Sequence, residues 1–203
     1  AGTHHTGAMS PAPDRSEHVV IADASAWRSW LDEHESTHDG LWLVLAKKGV
    51  TEPTSLTYDQ ALLEALCSGW IDGQKHSRDA TTFLQRFTPR RRASIWSVRN
   101  VGLVADLIEQ GRMRERGHAE IDRAKADGRW ERAYEGQARA EVTEDFALAL
   151  AASPAATAVF DTLSRAERYS VLHPVMSASP TNRAARIARI VEQLEAAGSS
   201  SPE

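Results

Sequence analysis

LWLVLA, residues 41–46, is apolar at odd and even positions alike. A strand with one face in water alternates, whereas one covered on both faces does not, so this run reads as a central strand. TTFLQRFT (81–88) does alternate, Phe83, Gln85 and Phe87 against Leu84, Arg86 and Thr88, and reads as a second strand. WIDGQK (70–75) precedes it, with Asp72-Gly73 as a turn signal. If the two stretches pair antiparallel, Lys75 and Arg86 approach each other, and the Thr88-Pro89 corner presents Arg90 and Arg91 at one end of the sheet. VVIA (19–22) adds a short β-branched run.

Helices account for the rest. Asp23 or Ser25 caps one with Trp27, Trp30, Leu31 and His34 on a single face, stopped by Asp39-Gly40. Thr57 and Gln60 form the capping box of another, which Gly69 ends. Ser97 opens a helix over 98–110, and a further one spans 114–127 up to Gly128. Beyond Gly136 the texture is purely helical, with starts at Thr143, Pro154, Ser164 (boxed with Glu167) and Ser179-Pro180. Pro174 should kink or shorten the third of these. The expected fold class is α+β: a small sheet with packed helices in the N-terminal part, then an all-helical C-terminal part. The expected divisions are a tag remnant and flexible leader at 1–16, an α+β module at 17–136, a helical domain at 137–196 and a disordered tail at 197–203.

A chain of 203 residues with 41% hydrophobic and 26% charged residues has the make-up of a globular protein able to bury a sizeable core. No apolar run approaches the length of a membrane span, so no membrane insertion is expected. The lone cysteine, Cys67, excludes an intramolecular disulfide and fits a cytoplasmic setting. It falls near the end of an apolar helix, where a thiol reads as buried and inert. Within a net charge of −4, the segment 74–99 is locally basic, carrying Lys75, Arg78, Arg86, Arg90, Arg91, Arg92 and Arg99 against Asp79 alone.

HESTH (34–38) fits the H-E-x-x-H zinc pattern. A working copy lies inside a continuous helix and needs a third ligand. Here Asp39-Gly40 breaks the helix directly after His38, and no third-ligand motif follows. His34 and His38 are therefore read as a coincidental match, and no metal is expected. Walker and G-x-G-x-x-G loops are missing, as is a G-x-S-x-G elbow, so no cofactor and no hydrolase chemistry is expected.

The constellation that can carry binding is Trp70, Asp72, Lys75, Arg86, Thr88, Arg90, Arg91 and Trp96. Guanidinium groups grip phosphate or carboxylate through paired donors, and tryptophans offer flat faces. The same residues can equally be structural, with the tryptophans in the core and the arginines in internal ion pairs. Nucleic acid fits poorly, because the chain is net acidic and has no reader motif.

LTYDQALLEALCSGWIDGQK (56–75), LQRFTPRRRASIWS (84–97), GRWERAY (128–134), SRAERY (164–169) and NRAARIARIVEQL (182–194) resemble the YdeI/OmpD-associated, or bacteriocin-protection, family of bacterial proteins, over about residues 19–196. That resemblance implies a stress-response or antimicrobial-resistance role with no agreed reaction. The expected function is a non-catalytic tolerance factor binding a small anionic ligand or a protein partner through segment 74–99, as a monomer or homodimer. The alternative is an enzyme on a small anionic or aromatic substrate, with Asp72 as acid or base.

Overall fold

A computed structural model describes residues 18–199. The expected leader and the last four residues of the expected tail lie outside the described residues. The chain divides into two compact units, one of residues up to Arg90 with Met113–Gly117, the other of Arg91–Arg112 with His118 onward.

The first unit holds β1 (His18–Val19), α1 (Ala24–His34), β2 (Leu41–Ala46), α2 (Tyr58–Cys67), β3 (Trp70–Ser77) and β4 (Thr82–Pro89). Asp23 takes the cap of α1, accepting a hydrogen bond from Ala26 N at 2.8 Å. The Thr57/Gln60 capping box of α2 is complete, with both reciprocal bonds formed. The strands order as β1-β2-β4-β3, with β1 parallel to β2 and the remaining pairs antiparallel. β2 is buried at every residue, as its unbroken apolar run requires.

Register assigns the two faces. Leu41, Leu43 and Leu45 of β2 stand opposite Phe87, Gln85 and Phe83 of β4, while Trp42, Val44 and Ala46 stand opposite Arg86, Leu84 and Thr82. The leucine face packs with Trp27 and Leu31 of α1, Ala61 and Ala65 of α2, and Trp70 into one core. Each such leucine or phenylalanine contributes about 1.5–3 kcal/mol on burial. Trp27 anchors α1 to α2 by donating from Nε1 to Ala61 O at 3.1 Å, and its ring stacks on Trp30 at 5.2 Å.

Asp72-Gly73 is not a turn. β3 runs straight through it and carries an irregularity between Asp72 and Lys75, so that Asp72 opposes Phe87 but Lys75 opposes Gln85. Three steps on β3 thus match two on β4, the mark of a β-bulge. Gln85, nearly buried, closes the bulge by donating from Nε2 to Gly73 O at 2.8 Å and Gln74 O at 3.3 Å. The hairpin turns later, at residues 78–81. There the Asp79 carboxylate accepts from Thr81 N at 2.9 Å and Thr82 N at 2.7 Å, and these bonds hold it well below the usual carboxylate range.

The second unit contains α3 (Val98–Glu109), most of α4 (Glu115–Ala126), α5 (Glu144–Ala151), α6 (Pro154–Thr162), α7 (Arg165–Met176) and α8 (Pro180–Ser199). α5 to α8 close around Phe146, Leu150, Phe160, Leu172, Val175, Ile187, Ile190 and Leu194. The capping box of Ser164 and Glu167 starts α7, which ends two residues past Pro174. Trp96 packs edge-on against Trp130 at 4.9 Å, and Tyr134 bridges to Ser97 beside them.

Arg183 ties this helical bundle together. It donates to both Asp145 carboxylate oxygens at 2.6 and 2.9 Å, to Thr143 Oγ1 at 2.9 Å and to Val175 O at 2.7 Å. The arginine first, and second the Thr143 hydroxyl, which donates to Asp145 Oδ1 at 2.7 Å, drive the Asp145 carboxyl far below its ordinary value. A depressed carboxylate contributes stability that is present above the unfolded-state value and fades as pH falls through the folded one. Asp145→Asn is therefore expected to cost about 0.5–1 kcal/mol at pH 7, the small size reflecting a side chain 47% exposed. The deficit should shrink below pH 4 in urea melts followed by far-ultraviolet circular dichroism. An equal deficit at pH 7 and pH 2.5 would refute the ion-pair account.

Candidate functional site

The bulge decides which expected site residues meet. Without it Lys75 would oppose Leu84, on the same face as Arg86. With it Lys75 opposes Gln85, and its Nζ lies 4.3 Å from the centre of the Phe83 ring, on the face away from Arg86. Lys75 and Arg86 are thus separated by the sheet itself. The residue that the bulge brings to Arg86's face is His76, opposite Leu84.

That face is a mixed aromatic and basic surface. Trp42 lies directly across from Arg86, the His76 ring sits 4.8 Å from Trp42 at 42°, and a cavity of about 260 Å³ opens among Trp42, His76, Ser77 and Leu84. Thr88 follows Arg86 on the same side of β4, opposite Ile71. Arg86 is half-buried, and desolvation lowers its pKa, with the Asp39 carboxylate partly offsetting this. It remains a cation at neutral pH. Among the described residues no hydrogen bond or ion pair engages its guanidinium. Gly73 leaves room beside it, with the Arg86 Cβ 3.5 Å from where a side chain would begin.

The other expected residues have different settings. Trp70 is wholly buried, donates from Nε1 to Glu35 O at 3.1 Å and meets Trp27 and Trp30 edge-on. Asp72 is half-buried on the opposite face from Arg86 and accepts from the Tyr58 hydroxyl at 2.8 Å. Arg90 is buried, and its backbone N–H donates to Gly69 O at 3.0 Å, closing the end of the hairpin. Arg91 and Trp96 belong to the other unit. Arg91 is exposed and forms a small turn with Ser94, and Trp96 is the buried partner of Trp130.

HESTH runs off the end of α1. Only His34 is helical, and Glu35 is the C-cap. The His34 ring stacks on Trp30 at 4.6 Å, and its Nδ1 donates to Trp30 O at 2.8 Å. His38 Nδ1 accepts from Gly40 N at 3.1 Å. The backbone oxygen of Glu35 takes hydrogen bonds from both Trp70 and Arg116. Among the described residues no three His, Cys, Asp or Glu side chains gather as a metal set. Cys67 is buried at the end of α2, where its carbonyl accepts from Arg114 N at 3.0 Å.

Sequence reasoning missed Trp42 and His76. An all-apolar strand does not say which of its residues face which side, and His76 reaches this face only through the bulge. Gly73 inside a strand pattern was the available signal.

No helix among the described residues is long and apolar enough to cross a membrane. Neither the curated proteins nor the solved structures contain a match to this chain. Two family matches divide it. Residues 139–197 match the family described as "Bacteriocin-protection, YdeI or OmpD-Associated", which takes in SRAERY and NRAARIARIVEQL. The resemblance expected over most of the chain therefore holds for its C-terminal part. The blocks at 56–75 and 84–97 fall in residues 19–120, which match a different family, a domain of unknown function (DUF8412). That second match takes in the whole sheet from Val19 onward and covers just over half of the sequence. The chain belongs to the DUF8412 family and carries behind that domain a segment of the bacteriocin-protection, YdeI or OmpD-associated type.

Proposed function

We propose that this protein is a non-catalytic, bacteriocin-protection-type factor of the bacterial cytoplasm that binds a small anion with a flat ring on the Arg86 face of its sheet. The C-terminal family match supports the protective setting, and the single cysteine is in keeping with a reducing compartment. One observation carries the binding reading: a half-buried guanidinium, engaged by no hydrogen bond or ion pair among the described residues and offset only in part by Asp39, on the sheet face that also carries the aromatic-walled cavity. A cation partly withdrawn from water without a partner costs stability, and an incoming carboxylate or phosphate relieves that cost through paired donors. Trp42 and His76 supply faces for a ring. Asp72 stands on the other side of the sheet, bonded to Tyr58, and takes no part in this site.

Thermal melts with phenyl phosphate, indole-3-acetate and inorganic phosphate test the reading. A ligand at about one hundred times its dissociation constant adds about 2.7 kcal/mol, which a chain of this length registers as several degrees. The ring-bearing anions are expected to raise the melting temperature and Arg86→Gln to remove the response. In the unliganded chain Arg86→Leu should be neutral or stabilising by up to about 1 kcal/mol, the usual sign when a functional cost is removed. A response that survives in Arg86→Gln, or no response to any of the three anions, would sink the proposal.

A further inference from the structure

The helical unit contains a second, smaller cavity, about 150 Å³, between the segment leading into α5, Phe160 of α6 and the first turns of α7. Its floor is apolar, formed by the buried Phe160 and Leu172. Its polar side comes from Arg165, Arg168 and Tyr169. Arg165 spends one donor on Ala138 O at 3.0 Å. Arg168 donates to Leu163 O at 3.2 Å and Asp161 O at 2.9 Å, which fixes its guanidinium 5.1 Å from the centre of the Phe160 ring. A guanidinium carries five N–H donors, so both arginines keep several beyond these bonds. The Tyr169 hydroxyl has no hydrogen bond among the described residues, and burial raises its pKa, so it stays a neutral donor.

Two carboxylates of the neighbouring helices are already committed. The Asp161 carboxylate lies 3.9 Å from Arg168, and the Glu167 carboxylate accepts from Ser164 N at 2.8 Å in the capping box. The result is two arginines and a tyrosine lining a small space with an apolar floor. A cavity of about this volume accommodates a benzene-sized molecule. Inorganic phosphate would satisfy the donors but leave the floor uncovered, and a neutral hydrocarbon would do the reverse.

We propose that this cavity binds a small monocarboxylate with a flat apolar body, of about the size of benzoate, with its carboxylate on Arg165 and Arg168 and its body against Phe160 and Leu172. The site is separate from Arg86 and does not depend on the sheet-face reading.

Calorimetric titration of the full chain with benzoate tests it, beside the neutral isostere benzamide and inorganic phosphate. Benzoate is expected to bind at least about ten-fold more tightly than benzamide, the size of a charge-assisted contribution. Arg165→Gln, at an exposed residue, and Ala140→Leu, which adds bulk at a residue lining the cavity, should each weaken benzoate by about ten-fold, with Arg86→Gln leaving it unchanged. Arg165→Gln keeps the test decisive if Ala140→Leu fails to fold. Benzamide binding as well as benzoate, benzoate binding indifferent to Arg165→Gln, or a loss caused by Arg86→Gln instead would each overturn the assignment. So would the absence of benzoate binding.

Discussion

Replacing Trp70 by alanine is expected to lower the unfolding free energy of the sheet-bearing unit by about 3–5 kcal/mol, the range for truncating a fully buried large aromatic side chain. Trp70 is 0% exposed, at the start of β3, with its indole against Trp27 at 6.3 Å and Trp30 at 5.8 Å. The substitution removes these ring contacts, opens a cavity under α1 and deletes the hydrogen bond to Glu35 O. That oxygen keeps its bond from Arg116 Nε at 3.0 Å, so no buried acceptor is orphaned and the loss is mainly one of packing. Trp70→Phe should retain part of the packing and cost roughly half as much. Urea melts followed by tryptophan fluorescence measure both. A ligand platform would behave in the opposite way, with Trp70→Ala sparing the fold and removing the response to ring-bearing anions. That outcome would return Trp70 to the binding site and remove it from the core.

What could be read from the sequence follows from what repeats in it. The unbroken apolar run of β2 foretold a strand buried on both faces, and all six of its residues are buried. The capping boxes at Thr57/Gln60 and Ser164/Glu167 formed as the residue types dictate, because a cap depends only on neighbours three positions away. Asp39-Gly40 foretold that HESTH would lose its helix, though α1 stops still earlier, at His34. Long-range parity was not legible. One extra residue between Asp72 and Lys75 exchanges the faces of everything that follows it on β3, sending Lys75 away from Arg86 and bringing His76 in. Alternation alone does not show that a strand has skipped a step, since the residues on either side of a bulge still alternate, and Gly73, the one local signal, sits in an Asp-Gly pair that reads equally as a turn. The tryptophans were ambiguous for a similar reason. Trp42 and Trp70 are both flanked by apolar residues, and only the position of α1 over one face of the sheet distinguishes a core ring from a site wall.

Gly40→Ala is expected to be nearly as damaging as Trp70→Ala, at about 3 kcal/mol, although it adds a single methyl group. Gly40 has φ of +112°, in the region that favours glycine. Its hydrogen atoms also fill the only space available. A Cβ there would stand 2.5 Å from Phe87 O, 2.6 Å from Thr88 Cγ2 and 3.0 Å from Thr88 Cα. Two of these neighbours are backbone of β4, which cannot yield without loosening the first pairs of the β2–β4 ladder, Leu41 with Phe87 and Trp42 with Arg86. The strain therefore falls where the aromatic wall meets the candidate anion anchor. Gly49→Ala separates conformational strain from steric clash, because Gly49 also has a positive φ, +79°, but nothing within 4 Å of the added carbon. It should cost only about 1 kcal/mol, from backbone conformation alone. Urea midpoints of the two variants give the comparison. If the costs are equal, the close approach of Gly40 to β4 is not what holds Trp42 in register with Arg86. A much larger cost at Gly40, together with a weakened response to phenyl phosphate, would tie the site on the sheet to the glycine that ends the HESTH segment.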